Sequence, residues 1–122
     1  DNGSSKVVLW GSGSPKREFL HVNDLAQAVF KASENYDSSM HLNIGTGSDL
    51  TIQDLAGKVA AAAGFTGEIE WDTSKPDGTP QKVLDVSKIK ALGWEPTIRL
   101  EEGIASTIAW YKEASARGEV RK

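Results

Sequence analysis

The sequence contains no cysteine. Disulfide stapling, thiolate catalysis and cysteine-based zinc sites are therefore excluded within its 122 residues. Histidine is nearly as scarce. His21 and His41 lie far apart and lack the spacing of a paired helical metal site. Basic charge is also short: 14 Lys and Arg face 17 Asp and Glu, a net charge of −3. That balance argues against a nucleic-acid or anionic-membrane surface, which needs clustered cations. A pocket for a small phosphate ligand needs only a few cations and stays open. No run approaches the roughly 20 apolar residues of a membrane span. The polar start, Asp1 to Ser5, has no signal-peptide core. Internal repeats and low-complexity stretches are absent too. The chain opens on Asp rather than Met. The expectation is a polypeptide that begins partway through a longer one or has been processed, in a cytoplasmic setting.

What is present reads as a globular α/β chain, 39% apolar and 25% charged. Lys6 to Trp10 is a short β-rich run ended by the turn Gly11-Ser12-Gly13-Ser14-Pro15. Arg17 to Val22 reads as another extended piece. Asn23 is placed to cap a helix over 24–35, with Leu25, Ala28, Val29 and Ala32 on one face. His41 to Ile44 is nearly apolar and bounded by loops, as a buried strand of a larger parallel sheet would be.

The best-marked helix follows. Thr51 and Asp54 form a capping box, Leu50 and Leu55 a staple across it, and Gly64 the stop. Its apolar face is Ile52, Leu55, Ala56, Val59, Ala60 and Ala63. Glu68 to Asp72 alternates as a strand. Ser87 is placed to cap a short helix through Leu92. A final helix over 101–117 turns Ile104, Ala105, Ile108 and Tyr111 inward.

Three places invite chemistry. The turns Gly11-Ser12-Gly13 and Gly45-Thr46-Gly47 suggest dinucleotide loops, but neither has the third glycine nor the immediately following helix. Both read as tight turns. Trp10, Lys16 and Arg17 form a second candidate. A guanidinium can clamp a diphosphate with two parallel hydrogen bonds, and an indole offers a stacking face. The plainer alternative is a buried Trp and a solvated Arg.

The third is the loop Lys75-Pro76-Asp77-Gly78-Thr79-Pro80-Gln81-Lys82. Prolines limit the entropy it loses on binding; Asp77 suits sugar hydroxyls, and Lys75 and Lys82 suit phosphate. An ordinary Pro-Asp-Gly surface turn is the alternative. His21 reads as a structural histidine, and Asp24 as serving the helix start rather than catalysis. No Ser-His-Asp arrangement or nucleophile elbow is found.

The run VVLWGSGSPKREFLHVNDLAQAV resembles the extended short-chain dehydrogenase/reductases where their late core helix begins. HLNIGTGSDLTIQDLAGKVAAAAGF resembles their entry into the substrate domain. The stretch IEWDTSKPDGTPQKVLDVSKIKALGWEPTIRLEEGIASTIAWY is similar to the GDP-L-fucose synthases within that family. The likeness runs from about residue 7 to 111. It implies the C-terminal, substrate-binding part of a Rossmann-type fold, lacking most of the parallel sheet. Residues 1–50 would be the last elements of the nucleotide-binding fold and its connection, and 51–122 a small α/β substrate domain.

By position, the resemblance makes Trp10, Arg17 and Asp77 substrate-binding residues, and Lys82 a basic residue near the substrate. Gln81 stands where the family often has Arg, and Asn23 where Asp is common. His21 aligns with an ordinary core position. The family's Gly-rich NADP(H) fingerprint, its Ser and Tyr-x-x-x-Lys set, and its epimerising Cys and His have no counterpart here. No catalytic, cofactor-binding or metal residue is therefore assigned to this chain. The implied enzyme takes a GDP-sugar, uses NADP(H) bound mainly by a missing N-terminal half, and is a homodimer when intact. Another nucleotide-sugar epimerase or dehydratase is one alternative. A stand-alone nucleotide-sugar-binding module is another.

Overall fold

The computed structural model describes residues 5–121. Nine elements follow in order: β1 (Lys6–Trp10), β2 (Lys16–Arg17), α1 (Val22–Asn35), β3 (Leu50–Thr51), α2 (Ile52–Ala63), β4 (Glu68–Asp72), β5 (Gln81–Lys82), α3 (Ser87–Ala91) and α4 (Leu100–Ala116).

Two small sheets organise them. β1 pairs with β4 in parallel, from Lys6 opposite Glu68 to Trp10 opposite Asp72. β2 is the centre of the second sheet, antiparallel to β3 and parallel to β5, with Arg17 opposite Lys82. The segments 6–17 and 68–82 thus run side by side, laddered at both ends. Between the ladders each segment throws out a loop, 11–15 and 73–80.

The main core lies under α1 and α3, where Ala28, Val86, Ile89 and Trp94 are buried and Leu20, Leu42, Ile44 and Leu92 pack around them. Asp24 is buried with them, at 3% exposure. Its carboxylate accepts hydrogen bonds from the Thr97 N–H (3.0 Å), the Thr97 hydroxyl (2.9 Å) and the Ile98 N–H (2.8 Å). Burial alone would raise its pKa. The hydrogen bonds outweigh it, with His21 assisting, and the pKa falls below the usual carboxylate value. Asp24 thereby anchors the approach to α4, beyond the helix-start role expected of it.

α2 packs against α4 and forms as its sequence predicts. The Thr51 hydroxyl accepts from the Asp54 N–H at 3.1 Å. Gly64, with φ 72°, ends the helix in a Schellman motif: the Phe65 N–H reaches the Ala60 carbonyl and the Gly64 N–H that of Ala61. The strand over 68–72 is also where the alternation puts it.

Several expectations are corrected. α1 begins at Val22, and its cap is His21, not Asn23: the imidazole Nδ1 accepts from the Asn23 N–H at 3.1 Å. Capping needs only an acceptor on an extended residue, and a neutral ring nitrogen supplies one. His21 Nε2 also meets the Ser106 hydroxyl at 3.2 Å, which joins α1 to α4. Of residues 17–22, only Arg17 is in a strand. Residues 41–44 form no strand, because none of the described strands lies beside them to supply a ladder. Ser87 is the first residue of α3 rather than its cap, and Asp85 accepts its N–H at 3.0 Å.

The inward faces also differ. Leu25 and Val29 of α1, and Val59 of α2, are exposed. α4 buries Gly103 and Ala114, while Ala105 and Tyr111 face outward. Gly103 sets that rotation: a Cβ there would stand 3.2 Å from the His21 ring, so the backbone itself makes the contact. No helix among the described residues is long and apolar enough to cross a membrane.

Candidate functional site

The parallel pairing of β1 with β4 ends level, at Trp10 and Asp72. Both chains leave their strands at the same edge, so their loops meet beyond the carboxyl ends of the strands. That is where ligands sit in α/β folds. Backbone bonds seal the exit: the Gly11 and Lys75 N–H groups both donate to the Asp72 carbonyl, at 3.0 and 3.2 Å. At the far end the Lys16 N–H donates to the Pro80 carbonyl at 2.8 Å.

Between these fixed ends lies a cleft of about 190 Å³, lined by Trp10, Gly13, Pro15, Arg17, Ile52, Pro76, Asp77 and Gly78. Three of the four expected site residues are therefore at one place. The fourth, Lys82, is beside Arg17 in the β2–β5 ladder but does not line the cleft. A larger hollow, about 660 Å³, lies beside Asp24, Lys31 and Trp94, away from all four.

Trp10 is 76% exposed in this chain rather than buried. An exposed indole beside a cleft is an unusual expenditure of apolar surface. The Lys75 ammonium stands 5.4 Å from its ring centre, within cation–π range. Arg17 is half-buried, and its Nη1 donates to the Lys16 carbonyl at 2.6 Å. Among the described residues no carboxylate forms an ion pair with it. The guanidinium thus keeps donors for an anion. Gly78 makes room for it, since a Cβ there would be 3.2 Å from Arg17 Nη2.

Asp77 is tied to the opposite loop. Oδ1 accepts the Ser12 N–H at 2.8 Å and Oδ2 accepts the Ser12 hydroxyl at 2.6 Å. The Ser12 hydroxyl, then its amide, hold the carboxyl below its usual pKa. The glycines on either side of Ser12 are required: Gly11 and Gly13 have φ 87° and 78°, and a Cβ at Gly11 would strike Asp77 while one at Gly13 would strike Trp71.

The same geometry answers the dinucleotide question. After Gly13 the chain enters β2 rather than a helix, and the turn is filled by Asp77 and Trp71. Residues 11–13 do not fit a dinucleotide pyrophosphate, which needs a helix N-terminus behind the glycines. Around the second turn, the Gly47 N–H donates to Glu18 Oε2 at 3.0 Å, so that backbone donor is used internally. No group of His, Asp and Glu among the described residues is arranged to hold a metal ion.

The model of the NAD-dependent epimerase/dehydratase family matches residues 1–45. The probable GDP-L-fucose synthase 1 of Oryza sativa subsp. japonica is 50% identical over 112 residues, 92% of this chain and 34% of that protein. Over most of its length the chain is thus similar to the C-terminal part of GDP-L-fucose synthases, and its first third matches the NAD-dependent epimerase/dehydratase family. It spans about a third of the length of the curated relatives it matches, in their C-terminal part.

Solved structures of nucleotide-sugar enzymes superpose well on the chain. A GDP-L-fucose synthetase from Naegleria fowleri bound to NADP has a TM-score of 0.87 at 28% identity, over 94% of this chain and 37% of that one. A GDP-6-OMe-4-keto-L-xylo-heptose reductase from C. jejuni has a TM-score of 0.82 at 40% identity, over 88% and 34%. The family resemblance seen in the residues is thus matched by both sequence and fold.

Residue-level reading missed Ser12, which does not line the cleft but holds Asp77, one of its walls. A serine in a Gly-rich turn carries no local mark of a partner 65 residues away.

Proposed function

We propose that this chain is the nucleotide-sugar-gripping C-terminal part of an NADPH-dependent GDP-4-dehydro-6-deoxy-D-mannose 3,5-epimerase/4-reductase. The observation that carries the reading is the convergence of Trp10, Arg17 and Asp77 on one cleft. The 50% identity to a probable GDP-L-fucose synthase supports it.

In this reading Arg17 clamps the diphosphate and Trp10 packs on the nucleotide side. Asp77 accepts from hydroxyls, and Lys82 adds positive charge nearby. At about 190 Å³ the cleft is smaller than a pocket for a whole nucleotide-sugar, so it takes one part of the ligand. Binding energy gathered there orients the reacting sugar elsewhere. NADP(H) is bound mainly by residues outside this chain, which also supply the proton-handling groups. Residues 1–50 complete the nucleotide-binding fold and 51–122 form the substrate domain. The reading places the enzyme in the cytoplasm as a homodimer, with neither nucleic acid nor membrane as partner.

Calorimetric titration tests it. GDP is expected to bind more tightly than UDP, and equal binding, or none of either, removes the nucleotide assignment. Arg17→Ala is expected to weaken GDP binding by about 1–3 kcal/mol, as for a charge-assisted phosphate contact. An unchanged constant returns Arg17 to a solvated surface role. The 40% identity to a GDP-heptose reductase favours a second reading with a different sugar. Turnover of the two ketosugars by the protein carrying this chain separates them.

A further inference from the structure

The two loops of the cleft touch through one pair of side chains in particular. Asp77 offers two carboxylate oxygens, and Ser12 engages both, one by its amide and one by its hydroxyl. The wiring behind Ser12 can be deduced. An ionised carboxylate only accepts, so the single Ser12 hydroxyl proton goes to Asp77. The 2.8 Å bond between the Ser12 and Ser14 hydroxyls must then be donated by Ser14. The Ser14 N–H also points at Ser12 Oγ, at 3.2 Å. Ser12 is thus held in place from behind and directs its proton forward.

The backbone is shaped to the same end. Gly11 has φ 87° and brings its Cα so close to Asp77 that a Cβ would stand 2.5 Å from Oδ1. With two acceptor sites taken, the carboxylate keeps its other lone pairs for hydroxyls in the cleft it lines.

We propose that Ser12 is the positioning residue of the cleft. It clasps loop 73–80 onto turn 11–15 and holds the Asp77 carboxylate ready for a sugar or ribose hydroxyl, so the cleft exists before ligand arrives. Pre-organisation of this kind raises affinity by removing an ordering cost. The proposal rests on the nucleotide-sugar reading for its ligand, but the clasp itself has a ligand-free readout.

The experiment uses the protein carrying this chain, as wild type and as Ser12→Ala, Ser12→Thr and Asp77→Ala, with GDP and the nucleotide-sugar as probes. Ser12→Ala is expected to weaken binding about 5–10-fold, the loss of one hydrogen bond to a charged acceptor. kcat/KM should fall by a similar factor, and Ser12→Thr should restore the wild-type constant. Without ligand, exchange of the residue 12 amide should speed up in Asp77→Ala. Wild-type affinity in Ser12→Ala overturns the proposal, whatever Asp77→Ala does. So does unchanged amide exchange in Asp77→Ala. If wild type binds no GDP, the functional reading fails, and the exchange measurement alone decides the clasp.

Discussion

Asp24 and Asp77 do the same chemical work in opposite surroundings. Each carboxylate accepts backbone and hydroxyl hydrogen bonds from a segment far away in sequence. Each has a pKa below the usual carboxylate value. Asp24 lies in the first turn of α1, buried, and accepts its hydrogen bonds from Thr97 and Ile98. Asp77 is exposed and shares its bonds with a cleft. A buried carboxylate with its bonds satisfied fixes structure, since losing it removes all three hydrogen bonds that tie the Thr97–Ile98 segment to α1. The exposed one costs little to disturb, and under the proposed function its remaining lone pairs serve a ligand.

The largest effect that tests this contrast is Asp24→Ala. It removes the three hydrogen bonds that hold the 97–98 segment on α1 and should cost about 1–3 kcal/mol in urea unfolding. An effect no larger than that of Asp77→Ala would erase the distinction. The acid limb follows from the sign of the shift. Because the folded pKa of Asp24 is depressed, its contribution is full above the unfolded carboxylate value and is lost as pH falls through the folded one. Asp24→Asn should accordingly flatten the decline in unfolding midpoint on acidification.

The smallest effect belongs to an ion pair with no clasping role. Lys58 and Glu101 meet at 2.7 Å between α2 and α4, both partly exposed. Lys58→Ala should move the melting temperature by less than about 2 °C. A larger change would mean that exposed charges matter here as buried ones do.

The sequence revealed what local rules govern. Both ends of α2 were readable because Thr51 and Gly64 act within one turn. β4 was readable from its alternation. The strand expected at 41–44 was not found, because a strand needs a neighbour and apolar residues alone do not supply one. Asn23 was read as the cap from its residue type, whereas the cap is His21, whose imidazole supplies the acceptor. The gathering of Trp10, Arg17 and Asp77 was expected only through the family resemblance, since spacing left each with an ordinary alternative. Ser12 was not legible at all, because its meaning lies in a parallel pairing that joins distant segments.

That pairing has a consequence in time. The β1–β4 and β2–β5 ladders join segments roughly sixty residues apart, so closing them carries a large loop entropy and belongs late in folding. α1 and α2 can form from neighbours in sequence, but the cleft cannot. Its walls come together only when the intervening chain has collapsed. A nascent or half-folded chain therefore has helices but no cleft, and under the proposed function ligand affinity serves as an assay of complete folding.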